Sequence, residues 1–167
     1  QMQGRHAQSL KAAREVEAAS ATLIELAPPF ADYGKSYPYF THVRFSSWDD
    51  ALKEAAPDAR LQVSTALWHW MRALAYHAKG RAADSEIEVR TFQQARDKLP
   101  PGSILVNNKA QTIVDIAAAT LEARLAPNAR AALPHWRRAV EAQATLAYEE
   151  PPAWYYPVRE SLGAALL

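Results

Sequence analysis

Eleven prolines divide this chain of 167 residues into lengths that suit helices and little else. They fall at Pro28-Pro29, Pro38, Pro57, Pro100-Pro101, Pro127, Pro134, Pro151-Pro152 and Pro157. A proline lacks the amide donor and clashes with the turn before it, so it ends a helix or sits in its first turn. The stretches between are rich in alanine, leucine, glutamate, glutamine and arginine, all good helix formers. The pattern predicts helices over Arg5–Leu26, Tyr37–Phe45, from Trp48 onward, Arg60–Lys79, Ala82–Leu99, Val106–Leu125, Arg130–Tyr148, and from near Trp154. Ser47 is the expected N-cap of the third, with Asp50 three residues on as a weak capping box. Gly80 is the expected left-handed stop of the fourth. No strand is expected, since the apolar run Ile104-Leu105-Val106 passes at once into a helical pattern. Short connections make successive helices antiparallel neighbours, so the fold class is all-α.

Bulk properties exclude several classes. A formal net charge of +1, from 19 basic and 18 acidic side chains, gives no field to attract nucleic acid or an acidic membrane. No apolar run approaches the roughly 20 residues that cross a bilayer. Cysteine is absent, which removes disulfides and thiolate metal sites. The first residues, Gln1-Met2-Gln3-Gly4-Arg5, read as the tail of one helix followed by a turn. The last, Ser161 to Leu167, stop within an apolar helical pattern. Both ends are therefore expected to be cuts within a longer protein, with Leu162, Leu166 and Leu167 as a surface for self-association.

Small and aromatic residues recur where paired helices must approach. Phe92-x-x-Ala95-x-x-x-x-Pro100 has the spacing of the second half of a tetratricopeptide repeat, and Ala132-x-x-x-Trp136-x-x-Ala139 repeats that alternation. Ala73-x-x-Tyr76 with Gly80, and Leu162-Gly163-x-x-Leu166, are candidate first-helix pieces. The span from Ala73 to Gly163 implies a period longer than the usual ~34 residues. With these motifs, Gly4-Arg5, Val43-Arg44-Phe45…Trp48-Asp49 and Glu150-Pro151-Pro152-Ala153-Trp154-Tyr155-Tyr156-Pro157-Val158-Arg159…Leu162-Gly163, the chain resembles the tetratricopeptide repeat family, in particular large bacterial repeat proteins. The resemblance implies a single repeat region over 1–167, with units near 1–27, 29–56, 60–100, 104–150 and 152–167, stacked as a right-handed solenoid of antiparallel helix pairs. It also implies a protein-binding or assembly scaffold with no catalytic residues and no cofactor.

The fourth helical segment is the most informative for a site. Val63, Leu67, Trp70, Met71, Leu74 and Ala78 form one apolar stripe, while Trp68 lies about 200° from Trp70 around the axis. A helix apolar on two sides belongs inside an array. Between the apolar sides run Thr65, His69, Arg72, Tyr76 and Lys79, read here as a groove wall. The repeat register disagrees in part, turning Trp70 and His77 toward the groove and Tyr76 into the packing. The sixth segment offers Asn108, Gln111, Asp115 and Glu122 on one side. A basic wall beside an acidic one would grip an extended peptide; the plainer reading is two solvated faces. The candidate binding residues are His69, Arg72, Tyr76, Asn108 and Asp115.

Other constellations point to structure rather than chemistry. His6, His42, His69, His77 and His135 show no metal-binding spacing. Asp49-Asp50 and Glu149-Glu150 are sequence neighbours that point to different sides and cannot straddle a scissile bond. No G-x-S-x-G elbow occurs, though a Ser/His/acid triad assembled from distant positions stays open. Tyr33 to Phe40 and Trp154-Tyr155-Tyr156-Pro157 gather aromatics around a proline, as helix entries or as ligand platforms. Arg159, just after the second, completes the candidate binding set. Two further readings stand beside the scaffold: a fragment of an all-α enzyme whose active residues lie largely elsewhere, and a sensor region that binds a small ligand.

Overall fold

A computed structural model describes residues 4–167; the expectations for Gln1 to Gln3 lie outside the described residues. The chain is mostly helical. Its elements in order are α1 (His6–Ala21), α2 (Pro28–Phe45), α3 (Trp48–Lys53), α4 (Gln62–Ala78), α5 (Ala82–Asp97), β1 (Ile104–Leu105), β2 (Asn108–Lys109), α6 (Ala110–Leu125), α7 (Ala129–Ala144) and α8 (Arg159–Leu166). They form two compact units, Gln1–Leu99 and Pro100–Leu167.

In the first unit α1 packs along α2, α4 along α5, and α2 against α4. Two helical hairpins thus lie side by side. Val63, Leu67, Trp70, Met71 and Leu74 are buried as the stripe requires, together with Tyr39, Phe40 and Val43 from α2 and Phe92 from α5. Each such side chain contributes roughly 1.5–3 kcal/mol on burial. Phe40 meets Trp70 edge to face, with centroids 6.1 Å apart. Trp70 is fully buried and His77 is exposed, so Trp70 belongs to the core and not to a groove wall. Ala78, the last member of the expected stripe, is exposed.

Several boundaries differ from the sequence reading. α2 begins at Pro28 rather than Tyr37 and continues through Pro38. A mid-helix proline costs about 3 kcal/mol. Here it lies in the buried run Pro38 to Val43, whose packing offsets that cost. Tyr33 to Phe40 is therefore helix interior, not a helix entry. Pro134 likewise sits inside α7, on its exposed side, where water can serve the carbonyl left without an amide. α1 ends at Ala21 and passes into turns. Gly80 does mark the end of α4, in the turn to α5, with φ of 71°.

A cap arrives from a distance. The Asp32 carboxylate on α2 accepts the amides of Val63 at 2.9 Å and Ser64 at 2.6 Å, in the first turn of α4. Ser64 returns its hydroxyl to the Asp32 carbonyl at 2.7 Å. Burial nevertheless dominates and pushes the Asp32 carboxyl above its usual range, against the pull of the Ser64 and Val63 bonds.

The second unit holds the expected helices α6 and α7 plus a minimal antiparallel hairpin that the sequence reading lacks. Ile104 pairs with Lys109 and Leu105 with Asn108. Its turn places Val106 at φ 56°, a costly conformation for a β-branched residue. The buried Glu149 holds the turn in place, accepting the Asn107 amide at 2.9 Å and the Asn108 side-chain amide at 2.5 Å. Ala132, Trp136 and Ala139 of α7 are buried, while Ile113, Val114, Ile116 and Ala117 of α6 fill the interior. Trp154, Tyr155 and Tyr156 are buried in the same unit, so this aromatic segment is packing. On α8, Leu166 is exposed and Leu162 is half-buried, with the terminal Leu167 exposed beyond it.

Candidate functional site

The polar stripe of α4 is not a bare wall. Glu88, one turn and a half into α5, reaches across and ties it together. Its two oxygens pair with His69 Nδ1 at 2.6 Å and Arg72 Nε at 2.6 Å. Burial alone would raise the Glu88 carboxyl, but the bonds from His69 and Arg72 outweigh it and hold the carboxyl below its usual range. The buried Ser85 hydroxyl donates to the Ala73 carbonyl at 2.9 Å and fixes the register that brings Glu88 to this place.

Arg72 is fully engaged. Nη1 donates to the Leu52 carbonyl at 3.3 Å and Nη2 to the Tyr76 hydroxyl at 2.8 Å. Its guanidinium lies 4.5 Å from the Trp68 ring centre and 5.2 Å from that of Tyr76, and the Arg81 guanidinium lies 4.5 Å from the same Tyr76 ring centre. Trp68, Arg72, Tyr76 and Arg81 form an alternating ladder of aromatic rings and cations. Such contacts are worth about 0.5–2 kcal/mol each, according to how far water is excluded. Arg72 therefore positions its neighbours; of the trio, His69 lines the cavity beside it, whereas Tyr76 is engaged by Arg72 and Arg81. Beside His69 the facing sides of α4 and α5 leave a cavity of about 320 Å³, which Ala59 and Ala95 line on its apolar part.

The three candidates in the second unit are not gathered into one cluster by any bond among them. Asn108 was expected on a helical groove wall; it lies instead on β2 and is buried. Its side chain is spent on structure, accepting the Ala147 amide at 2.7 Å while donating to the Ala147 carbonyl and to Glu149. The reason is local: helix α6 begins only at Ala110, after the hairpin. Asp115 is half-buried on α6 and accepts from Gln111 at 2.8 Å. Arg159 is exposed at the first position of α8, whose entry Gln143 clamps by accepting the Val158 amide at 2.8 Å and donating to the Tyr156 carbonyl at 2.8 Å.

A Ser/His/acid order does occur in the first unit. Ser47 Oγ lies 2.9 Å from His42 Nδ1, and His42 Nε2 lies 2.7 Å from Glu54. Ser47 starts α3, but its hydroxyl faces His42 and makes no cap bond, so the expected capping box with Asp50 does not form. Glu54 also accepts two bonds from Arg14 on α1, and its carbonyl accepts the Trp68 indole at 3.0 Å. One residue, Glu54, thus joins α1 and α2 through its carboxylate and α4 through its carbonyl, at the end of α3. His42 is 1% exposed, and none of the three residues lines the α4–α5 cavity; their bonds tie the end of α2 to the end of α3.

Among the described residues no cluster of three or more histidine, aspartate or glutamate side chains is placed to hold a metal ion, and no helix is long and apolar enough to cross a membrane. Sequence reasoning missed Glu88, Glu54 and the role of Trp68. The ladder was visible in principle, since Trp68, Arg72 and Tyr76 recur every four residues. No protein-family model, curated protein or solved structure matches the chain.

Proposed function

We propose that this chain is a scaffold of tetratricopeptide-like helical repeats, stacked as a right-handed solenoid, that holds a protein or peptide partner on exposed helix faces. The observation that supports the reading is the pairing within Gln1–Leu99, where hairpin α1–α2 lies against hairpin α4–α5 through α2 and α4. Repeat units cover one another's apolar sides in this manner, and leave one polar face for a ligand. His69 and Tyr76 are the proposed contacts on the first unit, with Arg72 as their positioning residue. Asp115 and Arg159 are the proposed contacts on the second. Asn108 drops out, because its bonds are internal.

Selection of displayed random peptides against the whole chain tests this. Enriched peptides are expected to lose about tenfold in affinity on His69→Ala, the scale of one lost hydrogen-bonded contact. Tyr76→Phe separates a hydroxyl contact from ring packing. Failure of any peptide to enrich, or binding indifferent to His69, Tyr76, Asp115 and Arg159, would overturn the proposal.

A further inference from the structure

The cavity between α4 and α5 is open to solvent and presents both hydrogen-bond donors and acceptors. Its volume of about 320 Å³ falls at the small end of the range for small-molecule sites. Gln62, Thr65 and His69 line it from α4; Thr91, Gln94 and Lys98 line it from α5 and its C-cap. Both threonines have already committed their protons, Thr65 to the Leu61 carbonyl at 2.8 Å and Thr91 to the Ile87 carbonyl at 2.9 Å. What they present is oxygen lone pairs, so an occupant must bring O–H or N–H donors. The two glutamines can donate or accept. Lys98 offers only N–H donors and a positive charge. No lining residue is acidic, and Glu88, the carboxylate bonded to His69, is balanced by Arg72. His69 is held by that bond to Glu88, so its ring is oriented before anything binds.

We propose that this cavity binds a small hydroxylated organic anion, of the class of sugar acids and sugar phosphates. The anionic group pairs with Lys98, and ligand hydroxyls donate to Thr65 and Thr91. An aliphatic acid lacks the donors the threonines require, and a neutral sugar lacks the charge. This goes beyond partner binding, because a small-molecule titration and a peptide selection can each fail without the other.

The test is an amide-resolved NMR titration of the whole chain with gluconate, glucose 6-phosphate, glucose and acetate. Gluconate or glucose 6-phosphate is expected to shift Thr65, His69, Thr91 and Lys98. The tighter of the two assigns the anion as carboxylate or phosphate. Glucose and acetate are expected to bind about tenfold more weakly, one charge-assisted contact or one hydroxyl set being lost. Lys98→Met removes the charge at an exposed position and should weaken both anions about tenfold while leaving glucose unchanged. Thr65→Val keeps the shape and removes an acceptor, so it should weaken all three hydroxylated probes. Unaltered spectra outside the cavity confirm that each variant is folded. Absence of shifts at these residues with either anion at millimolar concentration overturns the proposal. So does anion binding that survives both substitutions.

Discussion

Replacing Glu54 by glutamine should loosen the first unit. The carboxylate accepts two bonds from Arg14 and one from His42, at a side chain 6% exposed. A hydrogen bond to a charged partner is worth about 1.5–3 kcal/mol. Arg14 is 43% exposed, so water recovers much of what it loses and its share is discounted. Glutamine keeps one acceptor oxygen for His42 and turns an amide, itself a donor, toward the guanidinium. The expected loss is about 2–3 kcal/mol, or a fall in Tm of roughly 10 °C for a unit of this size. The pH dependence separates this cause from simple packing. Burial alone would raise the Glu54 carboxyl, but His42 and Arg14 hold it below 4.5. A depressed folded value means stability present above pH 4.5 and lost as pH falls through the folded value. Urea unfolding should therefore show a wide gap between parent and Glu54→Gln near pH 7, closing as pH drops well below 4.5. A gap that stays constant with pH, or a variant as stable as the parent, refutes the account.

Two further outcomes follow from the packing of α2. At Gly34 an added Cβ would stand 1.8 Å from Ser20 Oγ and 2.6 Å from Ser20 Cβ on α1. Gly34→Ala should lower stability by about 1–2 kcal/mol, although alanine for glycine in a helix otherwise gains about 1 kcal/mol; a rise in Tm would contradict the close approach of α1 and α2. Asp32→Asn leaves one acceptor for two amides and should cost about 1–2 kcal/mol. Because burial raises the Asp32 carboxyl above 3.8, its contribution is full below pH 3.8 and is lost as pH rises through the folded value. Parent stability should therefore fall as pH rises through that value, a slope that the non-titrating Asp32→Asn lacks and the reverse of the Glu54 contribution, and chemical denaturation across that range checks the sign.

Much of the first unit was legible because α4 carries its burial pattern in its own spacing. Val63, Leu67, Trp70, Met71 and Leu74 recur at the helical period, and each is buried. The sequence also announced Gly80 as a stop, since only a residue without Cβ enters φ 71° at little cost. Proline misled where burial outweighed it: Pro38 reads as a break, yet α2 runs through it. Asn108 misled because its neighbours look helical, while the bond that decides its place comes from Glu149, far along the chain.

The candidate site divides in the same way. That α4 has a polar side with His69, Arg72 and Tyr76 is a property of residue spacing, and spacing is written in the chain. That Glu88 meets that side, that Arg72 is thereby spent, and that a cavity opens beside His69 all depend on how α5 registers against α4. Periodicity fixes which side chains share a face of one helix, because the backbone's own hydrogen bonds set the angle between them. Which face meets which partner is set by contacts between residues distant in sequence, and only the tertiary structure of each unit decides those.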